Sequence, residues 1–397
     1  MNAIGIIAEY NPLHYGHIYQ MKEASRLAGR DVVAVAMSGN YVQRGEPAIL
    51  DKWERAGLAL KCGADIVLEI PTLYCLSDAG QYARAGVKTL EALGCVDTLG
   101  FGSECGDKDR LIRIANNLRS NSDELKTLIN TYSRDGLNYP AARAKAYTEL
   151  FPERTGDADI LSEPNDILAI EYLGYCDTMD AVAVKRTGAG YGDSVDADRI
   201  YQSASGIREL VKGGGDAAPY VPAEVSALIS ESRLTDPDDW FEFIRYAVMS
   251  HSPEEIECCP SGGEGLGFRL RDAAYKAHSY KELISSAKSK RYTYTRIARL
   301  VMQLLLGINR DAYADCNVSY IRVLAMNSRG RELLSQAVKS GACRLPVVSR
   351  LGSDIGELDE KGRKLLELDA HAADIYNLIT GRDIYERSDY RMHPAVY

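Results

Sequence analysis

Residues 3–17 read AIGIIAEYNPLHYGH, and the fold of the first half of the chain follows from them. The apolar run Ala3 to Ile7 predicts a buried first strand, and helical spacing from about Ile18 to Ala28 predicts the first helix. The turn between them, Ala8 to His17, holds two histidines three residues apart. Loops that leave the carboxyl end of a parallel strand and open a helix are where α/β proteins bind ligands. Free N–H groups in the first turn of such a helix favour phosphate, so we predict a phosphate or nucleotide site here.

Strand and helix patterns alternate from this stretch to about residue 212. Apolar runs predict further strands at Asp31–Met37, Asp65–Ile70, Thr98–Phe101 and Asp180–Lys185. Helical spacing predicts helices at Asp51–Cys62, Ser77–Leu93, Ile167–Tyr175 and within Asp107–Leu150. This alternation is typical of an α/β, Rossmann-like domain with a parallel, doubly wound sheet and right-handed crossovers.

A run of three glycines, Gly213 to Gly215, marks the predicted domain boundary, with Pro219 and Pro222 just beyond it. The sequence therefore predicts an α/β domain over residues 1–215 and a mainly α-helical domain over residues 216–397. Predicted helices of the second part are Ala223–Glu231, Asp238–Met249, Arg269–Ala277, Tyr280–Ala287, Tyr294–Leu306 and Gly330–Lys339. One short strand is possible near Tyr320 to Ala325.

The composition indicates the compartment in which the protein works. No run of about 18 apolar residues predicts a membrane span, and no basic and apolar leader precedes the first strand, so we expect no secretion. The nine cysteines include no Cys-x-x-Cys pair, which is the usage of a reducing compartment. We therefore expect a cytoplasmic protein without structural zinc, and we predict no metal site built by the protein.

Charge is divided unevenly along the chain. The net charge is −9, yet Arg269 to Arg350 carries 16 Lys and Arg against 5 Asp and Glu. That segment is +11, which leaves −20 for the remainder. Such a division suggests a polyanion partner for the basic segment. The alternative is a solvated helical surface that happens to be basic.

Two motifs carry the predicted chemistry. His14-x-Gly16-His17 can bring two imidazoles to one phosphate, and imidazolium groups with helix N–H donors suit the charge that develops on a pentacoordinate phosphorus. Ser203-Ala204-Ser205-x-x-Arg208 offers hydroxyls at a helix start and a permanently charged guanidinium fork for phosphates. Alone, the first motif is equally two surface histidines, and the second is an N-cap followed by an ordinary arginine. One lies after the first strand and the other after the last, which favours a shared nucleotide site.

These motifs and several others occur in a recognisable order. The further stretches are EYNPLHYGH (9–17), MSGN (37–40), QRGEP (43–47), FGSE (101–104), EPN (163–165), KRTGAGY (185–191), KRYTYTR (290–296) and LPVV (345–348). Together they resemble the bacterial tRNA(Met) cytidine acetate ligase family, in the nucleotidyltransferase superfamily related to class I aminoacyl-tRNA synthetases. One departure is that Ser-Ala-Ser stands where the superfamily has Ser-Ser-Thr, so the division of phosphate contacts between Ser203 and Ser205 stays open.

The resemblance implies an ATP-dependent ligase. Acetate attacks the α-phosphate of ATP, pyrophosphate leaves, and the acetyl adenylate acylates N4 of the wobble cytidine of elongator tRNA(Met), releasing AMP. It implies His14, His17 and Arg208 as catalytic residues, with magnesium accompanying ATP. The implied ATP-binding residues are Ile7, Ala8, Glu9, Tyr10, Asn11, Pro12, Leu13, His14, Tyr15, Gly16, His17, Ile18, Tyr19, Gln20, Gly102, Asn165, Arg186 and Thr187. Oligomeric state is left open.

A basic and aromatic segment in the second half is the predicted tRNA contact. Its candidate residues are Lys288, Lys290, Arg291, Tyr292, Tyr294, Arg296 and Arg299. Basic side chains neutralise phosphates and exposed tyrosines stack on unpaired bases; the alternative is a basic helix whose tyrosines lie in the core. Two rival functions are a nucleotidyltransferase with a small-molecule acceptor and a tRNA-binding protein with a vestigial nucleotide site.

Overall fold

The computed structural model describes residues 1–137, 139–154, 156–186, 195, 200–232 and 234–396. Its strands are β1 Ala3–Ala8, β2 Val33–Ser38, β3 Tyr41–Val42, β4 Glu46–Pro47, β5 Ile66–Ile70, β6 Val96–Ser103, β7 Asp180–Lys185, β8 Ile321–Met326, β9 Val347–Val348 and β10 Ala395–Val396. The five strands predicted in the first half are confirmed as β1, β2, β5, β6 and β7.

The helices surround the sheet and form the middle of the second half. They are α1 Tyr15–Ala28, α2 Lys52–Lys61, α3 Thr72–Cys75, α4 Ala79–Ala92, α5 Lys108–Ser120, α6 Ser122–Arg134, α7 Tyr139–Leu150, α8 Asp157–Ile160, α9 Pro164–Tyr175, α10 Ala204–Lys212, α11 Ala223–Glu231, α12 Pro237–Ser250, α13 Pro253–Glu257, α14 Leu266–Lys276, α15 Tyr280–Ala287, α16 Tyr294–Leu305, α17 Ser328–Lys339, α18 Leu351–Asp354 and α19 Glu360–Ile379. Short 3₁₀ turns lie at Pro152–Arg154, Asp311–Tyr313 and Ile355–Glu357. Among the described residues, no helix combines the length and apolar character that crossing a membrane would need.

The main sheet has the strand order β10–β8–β5–β2–β1–β6–β7, and β9 pairs with the start of β8. All of these pairs are parallel except β5 with β8, which is antiparallel. The predicted α/β, Rossmann-like class is therefore confirmed, with a mixed and mostly parallel sheet. β3 and β4 form a separate antiparallel hairpin over residues 41–47.

The two faces of the sheet bury different helices because side chains alternate along each strand. In β1, Ile4 and Ile6 join a core with α1, α2, α10 and α11, whereas Ala3 and Ile7 join the core that contains α4, α5 and α9. Gly5 allows α4 to come close, since a Cβ there would stand 2.7 Å from Leu90 Cδ1. β1 is thus the centre of the fold, and the loop that follows it emerges between the two helical layers.

The sheet crosses the predicted boundary at residue 215. The short strand predicted near Tyr320 to Ala325 is confirmed as β8, but it completes the sheet of the first half rather than staying in a separate helical unit. The C-terminal segment returns as β10, which pairs with β8. The main sheet therefore contains strands from both sides of residue 215. The domain boundary at residue 215 stays a prediction. Helix α19 was missed by the sequence prediction.

A buried cluster of charges fixes this added edge. Lys52 Nζ lies 2.7 Å from Glu69 Oε1 and 2.6 Å from Asp389 Oδ2, and Arg322 Nη2 lies 3.0 Å from the same Asp389 oxygen. The four side chains come from α2, β5, β8 and the C-terminal segment, and each is at most 3% exposed. A buried charge without an opposite partner is strongly destabilising, so these ion pairs hold the C-terminal segment against the start of α2.

Candidate active site

A cavity of about 190 Å³ opens at the carboxyl ends of β1 and β6, where the loop after β1 emerges. Of the predicted residues, those that line it are Ile7, Ala8, Glu9, Tyr10, Asn11, His14, His17, Gln20, Gly102, Asn165, Arg186, Ser203, Ser205 and Arg208. Gly16 and Tyr19 line a smaller adjoining slot. Pro12, Leu13, Tyr15 and Ile18 line neither space, and Thr187 lies outside the described residues. The two predicted motifs, far apart in sequence, do meet at one cavity.

Both histidines belong to the cap of helix α1, which begins at Tyr15, three residues earlier than predicted. Gly16 N donates to His14 Nδ1 at 3.1 Å, and His14 N donates to His17 Nδ1 at 3.3 Å. Their rings stack with centroids 3.7 Å apart. A ring nitrogen that accepts an N–H carries no proton, so each neutral ring holds its proton on Nε2. In each ring, the Nε2–H group is then the hydrogen-bond donor that remains available to a ligand in the cavity.

Gly16 is required by this cap. A Cβ at residue 16 would stand 2.9 Å from His14 Cε1, too close for the ring to keep its place. The same cap also occupies the first-turn N–H groups: Tyr15 N donates to Tyr220 O at 3.2 Å, and His17 N donates to His14 O at 2.9 Å. The first-turn N–H groups of α1 are therefore already paired in the free protein, and phosphate binding by them stays a prediction. The side chains around the cavity are the available donors.

The pKa values of both histidines are lowered, which favours neutral imidazoles in the free protein rather than the imidazolium groups considered in the sequence analysis. Burial and, to a smaller extent, the nearby Arg186 guanidinium lower the pKa of His14 to about 3. Burial, then His14, then Arg186 hold the pKa of His17 well below its usual range. A proton bound by the unfolded chain but not by the folded one makes stability fall as pH drops below the unfolded value of about 6.5. Neutral rings can still donate from Nε2 to an anionic phosphate.

We expect the imidazole signals of His14 and His17 in the free protein to stay in the neutral form from pH 8 to about pH 5, because both pKa values are lowered by burial. Long-range ¹H–¹⁵N spectra would report the Nε2–H tautomer directly. A bound nucleotide analogue should raise both pKa values, since phosphate charge favours the protonated ring. Titration of either ring near pH 6.5 without ligand would contradict the buried, capped arrangement.

Two arginines hold the loop between β1 and α1. Arg208 Nη1 donates to Asn11 O at 2.7 Å, and the fully buried Arg55 donates to the carbonyl oxygens of Glu9, Gly39 and Leu50. Between the two held carbonyls, Tyr10 has φ +47°, a conformation that a non-glycine residue keeps only when its surroundings impose it. The Asn11 side chain accepts from Ile49 N at 2.9 Å. Arg208 therefore has a positioning contact in addition to its place at the cavity.

The second motif forms the start of α10. Ser203 is the N-cap and accepts from Gly206 N at 3.0 Å, while its hydroxyl lies 3.1 Å from that of Ser205. Arg208 is on the cavity side of the same helix. Ser203 caps the helix as an acceptor and Ser205 lies beside it at the cavity, so the division of phosphate contacts between the two hydroxyls stays open.

The ends of β6 and α9 bind each other beside the cavity. Asp166 accepts from Glu104 N at 3.0 Å and Cys105 N at 3.1 Å, and Glu104 in return accepts from Asp166 N at 2.9 Å. Glu104 also accepts from the amide of Asn165 and lies 3.9 Å from Arg186 Nε. Glu104 is thus a carboxylate that caps α9 and orients Asn165 and Arg186.

A family model described as HIGH Nucleotidyl Transferase matches residues 1–390. A tRNA(Met) cytidine acetate ligase of Clostridium perfringens is 33% identical over 100% of both chains, and one of Lysinibacillus sphaericus is 31% identical over 99% of both. The chain belongs to the tRNA(Met) cytidine acetate ligase family. The crystal structure of Thermotoga maritima TmcAL without ligand has a TM-score of 0.92 at 29% identity, covering 100% of this chain and 99% of that one. A second, bound with alpha-thio ATP, has a TM-score of 0.89 at 27% identity and the same coverage.

The family predicted from the ordered motifs is thereby confirmed. The sequence analysis missed several residues at this site. They include Arg55, whose guanidinium donates to Glu9 O and so holds the loop after β1. They also include Val42, Tyr82, Leu168 and Tyr172, which line the same cavity. Their apolar or mid-helix positions look like ordinary core in sequence, so nothing in the pattern marks them.

The predicted tRNA segment of this family member divides into exposed and internal residues. Lys288, Lys290 and Arg291 are exposed between α15 and α16, and Tyr294 is 39% exposed with its hydroxyl 3.0 Å from Glu46 Oε1. Tyr292 is buried and donates to Glu264 O. For that tyrosine the core alternative is correct.

Two of the three arginines of the segment, Arg296 and Arg299, bind within the protein. Arg296 pairs with Glu264 at 2.7 Å, and Arg299 Nη1 donates to Gln43 O at 3.3 Å. Burial lowers the pKa of Arg299 to about 10. The predicted tRNA contacts therefore narrow to the exposed loop and Tyr294, while Arg299 fixes the 41–47 hairpin whose tip borders the cavity.

Metal ligands are not gathered anywhere in the described ranges: no three His, Cys, Asp or Glu side chains there lie close enough to hold an ion. The nine cysteines are free thiols.

Proposed function

We propose that this chain is an ATP-dependent ligase that joins acetate to N4 of the wobble cytidine of elongator tRNA(Met). The reaction passes through an acetyl adenylate and releases pyrophosphate and AMP. The observation that carries the proposal is the stacked pair His14 and His17, which lines a cavity that Arg186 and Arg208 also border. The full-length similarity to ligases named for this reaction supports the choice of substrates.

In the first step an acetate oxygen forms a bond to the α-phosphorus while the bond to pyrophosphate breaks. Negative charge grows on the phosphate oxygens, where fixed donors are most effective because they need no reorganisation. His14, His17 and Arg208 are proposed to supply these donors, and Ser205 lies beside them. Arg186 adds a permanent positive charge.

In the second step the cytidine N4 forms a bond to the acetyl carbonyl carbon, and the bond from that carbon to AMP breaks. The amine gives up one proton to solvent as the amide forms, and the products are N4-acetylcytidine and AMP. The aromatic and aliphatic side chains that line the cavity are proposed to exclude water from the adenylate once substrates are bound.

Magnesium is proposed to arrive with ATP. The described residues offer no cluster of three carboxylates or imidazoles, and magnesium near nucleotides is commonly held by phosphate oxygens and water. The residues present fit a metal carried on the phosphates, which would neutralise part of their charge.

The exposed loop between α15 and α16 is the proposed tRNA contact. Replacing Lys288, Lys290 and Arg291 together with alanine should reduce the slope of log affinity for tRNA against log salt by about two to three, because each lost phosphate contact removes about 0.7–0.9. Filter binding from about 50 to 300 mM salt would measure it.

A matched control removes three exposed cations elsewhere, Lys108, Lys126 and Arg134 on α5 and α6. The salt slope of this control should equal that of the parent. Equal slopes for both triple variants would contradict the placement of tRNA on the 288–291 loop.

Product analysis tests the proposed function. The protein is incubated with ATP, ¹⁴C-acetate and elongator tRNA(Met), and nucleosides are separated after digestion. N4-acetylcytidine should form on the parent tRNA and not on a tRNA whose wobble cytidine is replaced by uridine. Adenylylation of a small acceptor without acetylcytidine would instead support a small-molecule nucleotidyltransferase.

A further inference from the structure

The cavity has two unlike halves, one on each face of the sheet. Helices α1 and α10 lie on one face and bring His14, His17 and Arg208 to it. Helices α4 and α9 lie on the other face and bring Tyr82 and Leu168. Hydrogen-bond donors and a cation thus face a wall of aromatic and aliphatic groups across the end of β1.

The adjoining slot extends on the donor side, away from the apolar wall. It has a volume of about 30 Å³ and reaches β7 through Val184. Tyr19 and Tyr201 border it with ring centroids 5.4 Å apart, and Gly102 borders both spaces. Flat aromatic walls suit a nucleobase, since any base offers a π-face for stacking. A base that stacks on one of these rings would lie on the donor side of the cavity, outside the α4–α9 half.

The apolar half has fixed walls. Val42, Tyr82, Phe101 and Tyr172 are each no more than 6% exposed. Tyr82 is held at its hydroxyl, which lies 3.3 Å from Ser38 Oγ and 3.5 Å from Ala8 O. Buried side chains packed to this extent do not move aside for extra atoms without cost. A space with such walls discriminates ligands by size.

A carboxylate on the rim sets the direction of the ligand. Glu9 follows β1 and is held by Gln43 N, which donates to Glu9 Oε1 at 2.8 Å. A second carboxylate placed in the apolar half would be repelled by Glu9 and would lose its hydration. An acid therefore points its carboxylate toward Arg208 and the histidines, and its alkyl end toward Leu168.

We propose that the α4–α9 half of the cavity is the acyl chamber, in which Val42 and Leu168 limit the acid to a short alkyl group. Residues 38–40, which follow β2, do not line this chamber: Gly39 faces Glu69, where a Cβ would stand 2.5 Å from Oε1, and Ser38 contacts the wall through the Tyr82 hydroxyl. This inference rests on the proposed carboxylate-activating function and names the part of the site that selects the acid.

The test is the acid preference of Leu168→Ala and Val42→Ala. Acid-dependent ATP–pyrophosphate exchange is measured with acetate, propionate and butyrate. In at least one variant the ratio of kcat/KM for propionate to that for acetate should rise by about 10-fold or more, because one methylene in an apolar pocket is worth about 10–200-fold. The parent should favour acetate.

The matched control is Leu173→Ala. Leu173 lies on the same helix and packs on the core without lining the cavity, so its removal should leave the acid preference unchanged. If both Leu168→Ala and Val42→Ala keep the parental preference among the three acids, the proposed acyl chamber is contradicted. Loss of folding in one variant, seen by circular dichroism, leaves the other to decide. Absence of acetate-dependent exchange in the parent would refute the proposed function instead, so the two failures are distinguishable.

Discussion

Replacing His17 with alanine is expected to lower kcat/KM for acetate-dependent ATP–pyrophosphate exchange by about 10²–10³-fold, the effect of removing one preorganised donor to a developing oxyanion. The change removes the proposed Nε2–H donor and also the acceptor of His14 N, so the stacked partner loses its alignment. Both losses act on the transition state more than on substrate binding. The fall should therefore appear mainly in kcat.

His371→Ala is the control for that variant. His371 is exposed on α19, away from the cavity, and its loss should leave the exchange rate at the parental value. His17→Gln keeps a donor of similar reach and should recover part of the rate. Parental activity in His17→Ala would show that the histidine pair does not stabilise the charge that develops on the phosphate.

Replacing Asp389 with alanine is expected to lower the free energy of unfolding by about 3–5 kcal/mol, the usual cost of breaking a buried ion cluster. Lys52 and Arg322 would be left with Glu69 as their shared carboxylate partner within this cluster. Because Asp389 ties the C-terminal segment to α2, the pairing of β10 should loosen as well. Urea unfolding followed by circular dichroism would measure the change.

The control for Asp389→Ala is Asp315→Ala. Asp315 lies 3.8 Å from Lys361 in a pair whose side chains are 85% and 56% exposed, so its loss should cost about 0–1 kcal/mol. Equal costs for the two variants would contradict the structural role of the buried cluster. The same account predicts that residues 1–215 alone lack a stable sheet edge, because β8 and β10 come from the last 80 or so residues.

The strands and the site loop could be predicted because their signals are local. Continuous apolar runs predicted β1, β2 and β5–β7, and the residues after β1 marked the site. The position of β8 in the sheet could not be predicted. Its antiparallel partner β5 lies about 250 residues away, and the spacing of apolar residues within a strand does not show which strand it pairs with.

The site residues divide in the same way. His14, His17 and Arg208 stand in motifs, whereas Arg55 sits mid-helix where nothing in sequence shows that its guanidinium reaches three carbonyls. Tyr292 was misjudged for a related reason: an alternating basic and aromatic segment does not reveal which side faces the core. Charge state was also hidden, because burial decides it and burial is a property of the fold.

The central claim is that the cavity beside β1 activates acetate as an adenylate. ATP–³²P-pyrophosphate exchange, measured with and without acetate in the absence of tRNA, tests it most directly. The account predicts exchange that depends on acetate, needs no tRNA, and falls by about 10²–10³-fold in His17→Ala. Exchange that proceeds without acetate, or that requires a different acid in its place, would contradict it.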